Sequence, residues 1–207
     1  MATRFRSQAA KLTVNGKAPT GSNALGRRVA ERVARYSTAS GRAQVSTARR
    51  VQPLSKREIR SVYNVKSSAL GKTMQLDSTK ADGGSIVLRA SKRRLPLIAF
   101  DGTWGGRSTP GATASILLGA RRTYNSAFIA TARGQRAIFV RERGAGGKRP
   151  DRAPVRRLYG PSVFDMLAVS SDAGSPANRI RGRVVSQLES FYVTELARQI
   201  RLELARD

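Results

Sequence analysis

Residues 126–162 read SAFIATARGQRAIFVRERGAGGKRPDRAPVRRLYGPS, and this stretch decides the fold. Two short apolar runs, 127–131 and 137–140, flank a polar turn carrying Gly134. β-Branched and aromatic residues dominate both runs, so the pattern predicts a β-hairpin. A Gly/Lys/Arg-rich tip follows, and then Ala153-Pro154-Val155-Arg156-Arg157-Leu158-Tyr159-Gly160-Pro161. Each proline fixes its own φ and pushes the residue before it out of the helical region. The chain here should therefore run extended and then turn sharply. A hairpin cannot cover its apolar face alone. The segments on either side must pack on it, which makes it the expected centre of the fold.

Upstream, Ser85-Ile86-Val87-Leu88-Arg89 reads as a strand, Lys92-Arg93-Arg94 as a turn and residues 95–100 as a second strand. Pro96 in that run implies an edge position or a strand start. Residues 101–111 form a Gly-rich loop with the only tryptophan, Trp104, which is either an interface anchor or folded back on the core. Residues 113–118 are a third strand and Arg121-Arg122 a basic turn into the hairpin. Residues 71–84 are polar and read as loop. Earlier still, Ser22 or Asn23 can cap a helix whose stripe is Leu25, Val29, Val33 and Tyr36, with Arg27, Arg28, Arg32 and Arg35 between. Pro53 should stop it. Ser55 would then cap a shorter helix, with Glu58 completing a capping box and Ile59 and Val62 facing inward. Two helices around a proline turn superficially resemble a DNA-reading pair, but packing of an amphipathic pair is the simpler account.

Downstream, Phe164, Met166, Leu167 and Val169 suggest a turn or two of helix, and residues 170–175 a loop. Pro176 suits a first helical position after Ser175. Ile180, Val184, Leu188, Phe191, Leu196, Ile200 and Leu204 then advance mostly by three or four. This predicts a helix of about 30 residues, roughly 45 Å long, unless it breaks near Gly182. It is longer than a small domain can cover, so part of it should meet another subunit or partner.

The 207 residues suit one domain, or one domain with extensions, and 40% hydrophobic content is enough for a core. Charge dominates: 39 Lys and Arg against 13 Asp and Glu, a net +26. A chain this basic repels itself unless something anionic lies nearby. Nucleic acid, an anionic membrane or acidic proteins would each serve; an Arg-rich proteome is the plainer alternative. There is no cysteine, so no disulfide or thiolate metal site, and no histidine, which removes the usual general base and metal ligand. No run approaches the length of a membrane-spanning helix, and residues 1–20 lack the apolar segment of a secretory signal. Residues 144–149 look like a phosphate loop but fail, because Glu142 stands where its first glycine belongs and Arg149 where Ser or Thr belongs. The carboxylates are scattered, with Glu189, Glu195 and Glu203 on the last helix explained by solvated faces or pairs with arginine. No catalytic set emerges, and no cofactor or metal is expected. The basic residues singled out as facing DNA or a partner are Arg27, Arg28, Arg32, Arg35, Lys92, Arg93, Arg94, Arg121, Arg122, Lys148 and Arg149. Aromatics are not interleaved among them as in a single-strand stacking platform, so attraction to phosphate backbone without sequence reading is the expectation.

The motif order is Arg94-Leu95-Pro96-Leu97-Ile98-Ala99-Phe100, a Gly-rich loop, Ala127-Phe128-Ile129-Ala130-Thr131, and Arg133-Gly134 followed by Ile138-Phe139-Val140-Arg141. Pro154-Val155-Arg156-Arg157-Leu158-Tyr159-Gly160-Pro161-Ser162 closes it. This resembles the minor tail protein Z family of tailed bacteriophages and prophages, over most of the chain. The residues carrying the likeness are Pro96, Phe128, Arg141, Pro154, Arg157, Leu158, Tyr159, Gly160 and Pro161. The chain differs from the family's pattern in its residue 1–21 arm, its Trp104 loop and Ala153 before Pro154. The resemblance implies a structural virion protein without enzyme activity, a tail-completion or neck component assembled in the host cytoplasm. It would form a homo-oligomeric ring at the head-proximal end of the tail and join it to the head. The implied partners are tail and neck proteins (tail terminator, tail tube, head connector) and, nonspecifically, phage DNA, with no membrane. A stand-alone, sequence-nonspecific nucleic-acid-binding protein is the alternative that the charge alone suggests; an enzyme with an unseen site is remote without His or Cys.

The expected architecture is α+β: a flexible basic arm over 1–21, then a single domain over 22–207. Within that domain, 22–70 is helical, 85–143 is a small, mainly antiparallel sheet, 144–175 is a Pro/Gly-rich connection and 176–207 is a long C-terminal helix.

Overall fold

In the computed structural model, which describes residues 3–5, 24–71, 73–78, 86–141 and 154–205, the predicted hairpin forms. Residues Ala127–Ala132 pair antiparallel with Gln135–Arg141, in register from Ala127 opposite Val140 to Ala132 opposite Gln135. The turn is Arg133-Gly134, at φ 51° and 72°. Two consecutive positive φ values are what a type I′ turn requires, and its twist matches that of the strands.

The elements begin with β1 (Thr3–Phe5), α1 (Ala24–Arg60), α2 (Ser67–Gly71), β2 (Met74–Ser78) and β3 (Ile86–Ala90). Next come β4 (Arg94–Pro96), one turn of 3-10 helix (Leu97–Ala99), β5 (Thr103–Trp104), β6 (Gly111–Leu117), β7 (Ala120–Asn125) and the hairpin strands β8 and β9. The chain closes with β10 (Val155–Arg157), β11 (Tyr159–Ser162), α3 (Val163–Leu167) and α4 (Pro176–Leu204). The fold is α+β. Among the described residues no helix is long and apolar enough to cross a membrane.

The chain divides into two compact units. The first comprises, of the described residues, 3–5, 24–54, 75–78, 86–89 and 182–205. Its helices are tied by side chains: Arg50 lies over the Phe191 ring, Ser46 bonds Glu195, Arg42 pairs with Glu203, and the Ser40 and Tyr192 hydroxyls share a hydrogen bond of 3.1 Å. The buried face of α1 steps by four through Ala39, Ala43, Thr47 and Val51. Small side chains let a neighbouring backbone come close, and residues four apart form one of the ridges by which helices pack. Alongside, β3 lies between β1 and β2 in a three-stranded sheet.

The second unit comprises 55–71, 73–74, 90–141 and 154–181. Its core is built from Ile59, Leu70, Leu97, Phe100, Ile138, Val163, Met166 and Ile180, all fully buried. Three small antiparallel sheets surround it: β5-β6-β7, β8-β9-β10 and β4-β11. Ser162, buried at the end of β11, accepts from the Asp165 backbone N–H while the Asp165 carboxylate accepts from the Ser162 N–H, a full capping box for α3. At the start of α4, Asn178 holds the preceding loop by donating to the carbonyls of Ser170 and Asp172 and accepting from the Ser170 N–H.

Several expectations need correction. Pro53 does not stop the first helix; α1 runs 37 residues through it, with Ser55 and Glu58 buried in mid-helix rather than capping a second one. Pro53 is exposed, so the carbonyl it leaves unbonded can take water, while buried Val51 and Ser55 on either side hold the helix together. The buried face of α1 is the small-residue ridge, and Tyr36 of the expected stripe is 47% exposed. The polar segment read as loop contains β2. The strand expected over 95–100 ends at Pro96, where the chain winds into the 3-10 turn. Arg121 and Arg122 lie on β7; the turn falls earlier, at Leu118-Gly119, where Gly119 takes φ 78°. The sheet is divided into four small ones among the described residues rather than continuous. The last helix passes through Gly182 without a break. Of the expected arm, Thr3–Phe5 forms β1 on β3, and the rest lies outside the described residues, as do the Ser22/Asn23 cap and residues 144–149.

Candidate functional site

Two groups of residues are candidates for function: the motif residues and the cations. The structure gathers the motif residues other than Pro154, which is exposed ahead of β10, into one junction of the second unit. Pro96 pairs with Tyr159 across β4 and β11, and Phe128 lies opposite Phe139 in the hairpin. Val155 lies opposite Arg141 and Arg157 opposite Phe139, so β10 extends the hairpin to three strands. Between β10 and β11, the Leu158 N–H donates to the Ile138 carbonyl at 2.9 Å, and the Leu158 carbonyl accepts from Leu97 N–H at 3.0 Å. Gly160 is buried against Phe100; a Cβ there would sit 2.5 Å from the ring. These contacts give Leu158 and Gly160 packing roles, and Pro161 leads into the buried cap Ser162.

The cations distribute differently. Arg27, Arg28 and Arg32 are exposed on α1, and Arg35 is half-buried there. Lys92, Arg93 and Arg94 are exposed at the entry to β4, with Lys92 Nζ 5.0 Å from the centre of the Phe164 ring. Arg121 is an internal tie: it pairs with Asp101 and donates to the Thr103 and Thr113 hydroxyls at 3.1 and 3.2 Å. Arg122, its neighbour on β7, lies 5.7 Å from the Tyr124 ring centre. Lys148 and Arg149 lie outside the described residues. The described candidate cations are therefore divided between the two units.

The sequence reading treated aromatics and cations as separate; the register brings them together. Trp104 is half-buried with its ring 6.5 Å from Phe128, which is 6.2 Å from Phe139. Arg141 lies 5.6 Å from the Phe128 ring centre and Arg157 5.5 Å from that of Tyr159. A guanidinium over a ring is attracted by the ring quadrupole. The signal was present in the sequence as an alternation of Phe and Arg around the turn, but only the pairing register tells which of them share a face.

Of the two readings for the carboxylates of α4, pairing with arginine holds for Glu195 and Glu203, and Glu189 is exposed. Glu195 and Glu203 are buried rather than solvated. Arg198 binds Glu195 with two N–H groups, at 2.9 and 2.6 Å, and Gln199 donates to it at 2.8 Å. The Arg198 hydrogen bonds above all, then that of Gln199, with Ser46 adding to them, hold the Glu195 carboxyl down at about 2, against an ordinary 4.5. Beside this cluster a groove of about 560 Å³ is lined by Ser37, Gly41, Arg42, Val45, Ser46 and Gln199. The cluster ties α1 to α4. Among the described residues no three metal-ligating side chains gather.

No family model matches the chain, and no curated protein or solved structure matches it either.

Proposed function

We propose that this chain is a structural protein of a tailed-phage virion, a tail-completion or neck component that works without catalysis. In this reading copies form a ring at the head-proximal end of the tail and join it to the head. The observation that carries it is the ordered series of motifs resembling the minor tail protein Z family, from Arg94-Leu95-Pro96 to Leu158-Tyr159-Gly160-Pro161-Ser162. Their contacts support it: motif residues far apart in sequence meet in one junction, which explains why that combination of residue types occurs together. The charge then has a use, since a ring around the genome's path stabilises phosphate backbone without reading bases. The 29-residue α4 offers length for contacts between subunits.

The test is a phage from which this gene has been deleted. Negative-stain images should show full heads and separate tails, with joining restored by the purified protein. Normal head-joined tails from the deletion would overturn the proposal. The net charge of +26 favours a second reading, a stand-alone nucleic-acid-binding protein. In that case the purified chain would bind DNA at physiological salt and show no affinity for tail or head-connector proteins.

A further inference from the structure

The second half of α4 reverses the usual sides of a helix. Its buried residues Glu195, Gln199 and Glu203 are polar and lie four apart. Val193, Ala197, Ile200 and Leu204, at steps of three and four, share another side. There Val193 is 64% and Leu204 44% exposed, Ala197 is exposed and Ile200 half-buried. An amphipathic helix ordinarily turns its apolar stripe to the core and its charges to water. α1 carries a second open stripe. Val29, Tyr36 and Ala43 lie seven residues apart, close to two turns, and Val33 stands between the first two. This is the side of α1 that is buried from Ala39 to Val51. Over residues 26–38, however, no side chain is buried: Val29 and Val33 are half-buried and Tyr36 is 47% exposed. The ties from α4 reach α1 between Ser40 and Arg50. Val29 lies roughly 16 Å along the helix from Ser40, at 1.5 Å per residue.

We infer that the Val29-Val33-Tyr36 stripe of α1 in one copy packs against the Val193-Ala197-Ile200-Leu204 stripe of α4 in the next copy. The inference rests on the ring reading and gives it a subunit contact. The two patches differ, so the contact is heterologous: it repeats head to tail and makes a ring when the rotation between copies closes. Charge selects this pairing over like with like. Residues 26–38 hold four arginines and one glutamate, so two α1 stripes face to face would set arginine against arginine. Residues 184–205 hold three glutamates and two arginines, an acidic excess in a chain of net +26, and Glu189 among them is exposed. The α4 of a second copy therefore offers α1 an apolar stripe without the repulsion. A helix flanked by arginines also suits an anionic lipid surface, but helices that lie in that interface carry Trp, Phe or Leu on their apolar side. Here the stripe is two valines and a tyrosine, beside Gly26 and Ala30.

The chain has no cysteine, so single introduced cysteines report contacts without background. Full-length Y36C and V193C, one of them enlarged by a tag, are mixed at about 0.15 M salt, where the Debye length is about 8 Å. The mixture is oxidised and the disulfide-linked products are separated by size. The mixed product should exceed either homodimer several-fold beyond the proportion that chance collision gives. R49C, exposed on another side of α1, should give no mixed product with V193C. If V193C does not fold, L204C carries the test from the same stripe. Homodimers alone, a mixed product at the chance proportion, or no linked product would each overturn the inference. So would a polarity-sensitive dye on Y36C that shifts to shorter wavelength with phosphatidylglycerol vesicles and not with added wild-type chain. Separate tails in the deletion phage together with no mixed product would keep the head-joining reading and discard this contact, since the two tests read different things.

Discussion

Glu195 shows how a single side chain in this protein takes its properties from a partner on the same helix and another across from it. Its carboxyl is held at about 2, chiefly by Arg198 and then by Gln199. A carboxyl whose value is lower in the folded chain than its ordinary 4.5 adds stability that is fully present above 4.5. That contribution drains away as pH falls from 4.5 toward 2. In E195Q the urea midpoint should therefore depend less on pH across that window than in the wild type, with the largest deficit near neutrality. A variant as acid-sensitive as the parent would mean that Glu195 is not the group responsible. Gly160 makes a different single-residue prediction. A Cβ at this position would lie 2.5 Å from the Phe100 ring, so G160A must displace a fully buried side chain. The expected loss is about 1–3 kcal/mol, the usual range for overpacking, measured by urea unfolding.

The elements α1 and β8–β9 show local propensity losing in one place and winning in another. A proline inside a helix costs about 3 kcal/mol relative to alanine, yet α1 continues through Pro53 because its neighbours on the inner face are buried. P53A restores a backbone hydrogen bond without touching that face. It should stabilise the protein by up to about 3 kcal/mol, seen as a higher melting temperature by circular dichroism. No gain would indicate that the helix is bent to suit the proline. In the hairpin, by contrast, local chemistry and final structure agree. Arg133-Gly134 adopts the left-handed pair that two-residue turns require, and the flanking strands follow in register.

For the molecule entire, charge is the governing quantity. Copies carrying +26 each repel one another, and salt screens that repulsion with a Debye length of about 10 Å at 0.1 M. If the chain assembles into a ring, sedimentation velocity should show association rising with ionic strength, or on adding DNA at low salt. Association that falls with added salt would point instead to attraction between opposite charges on neighbouring copies.

The hairpin, the final helix and the α+β class were legible in residues 22–207 because each rests on a local period: two for the strands, 3.6 for α4, and a glycine where φ must be positive. The absence of His and Cys and the cationic excess were equally plain, since composition needs no coordinates. Other features were hidden, and each depends on contacts between residues distant in sequence. The ridge Ala39-Ala43-Thr47-Val51 looks like no apolar stripe, and only tertiary packing makes these small residues the buried ones. Glu195 and Glu203 read as solvated or paired with arginine, and only contacts with α1, through Ser46 and Arg42, accompany their burial. The approach of Arg141 to the Phe128 ring required the register of β9 with β8. A one-residue slip in a strand would have sent those side chains to the other face. Spacing along a chain specifies which side of an element a residue occupies; what covers that side is settled by long-range packing, where burial and pairing energies outweigh local preference.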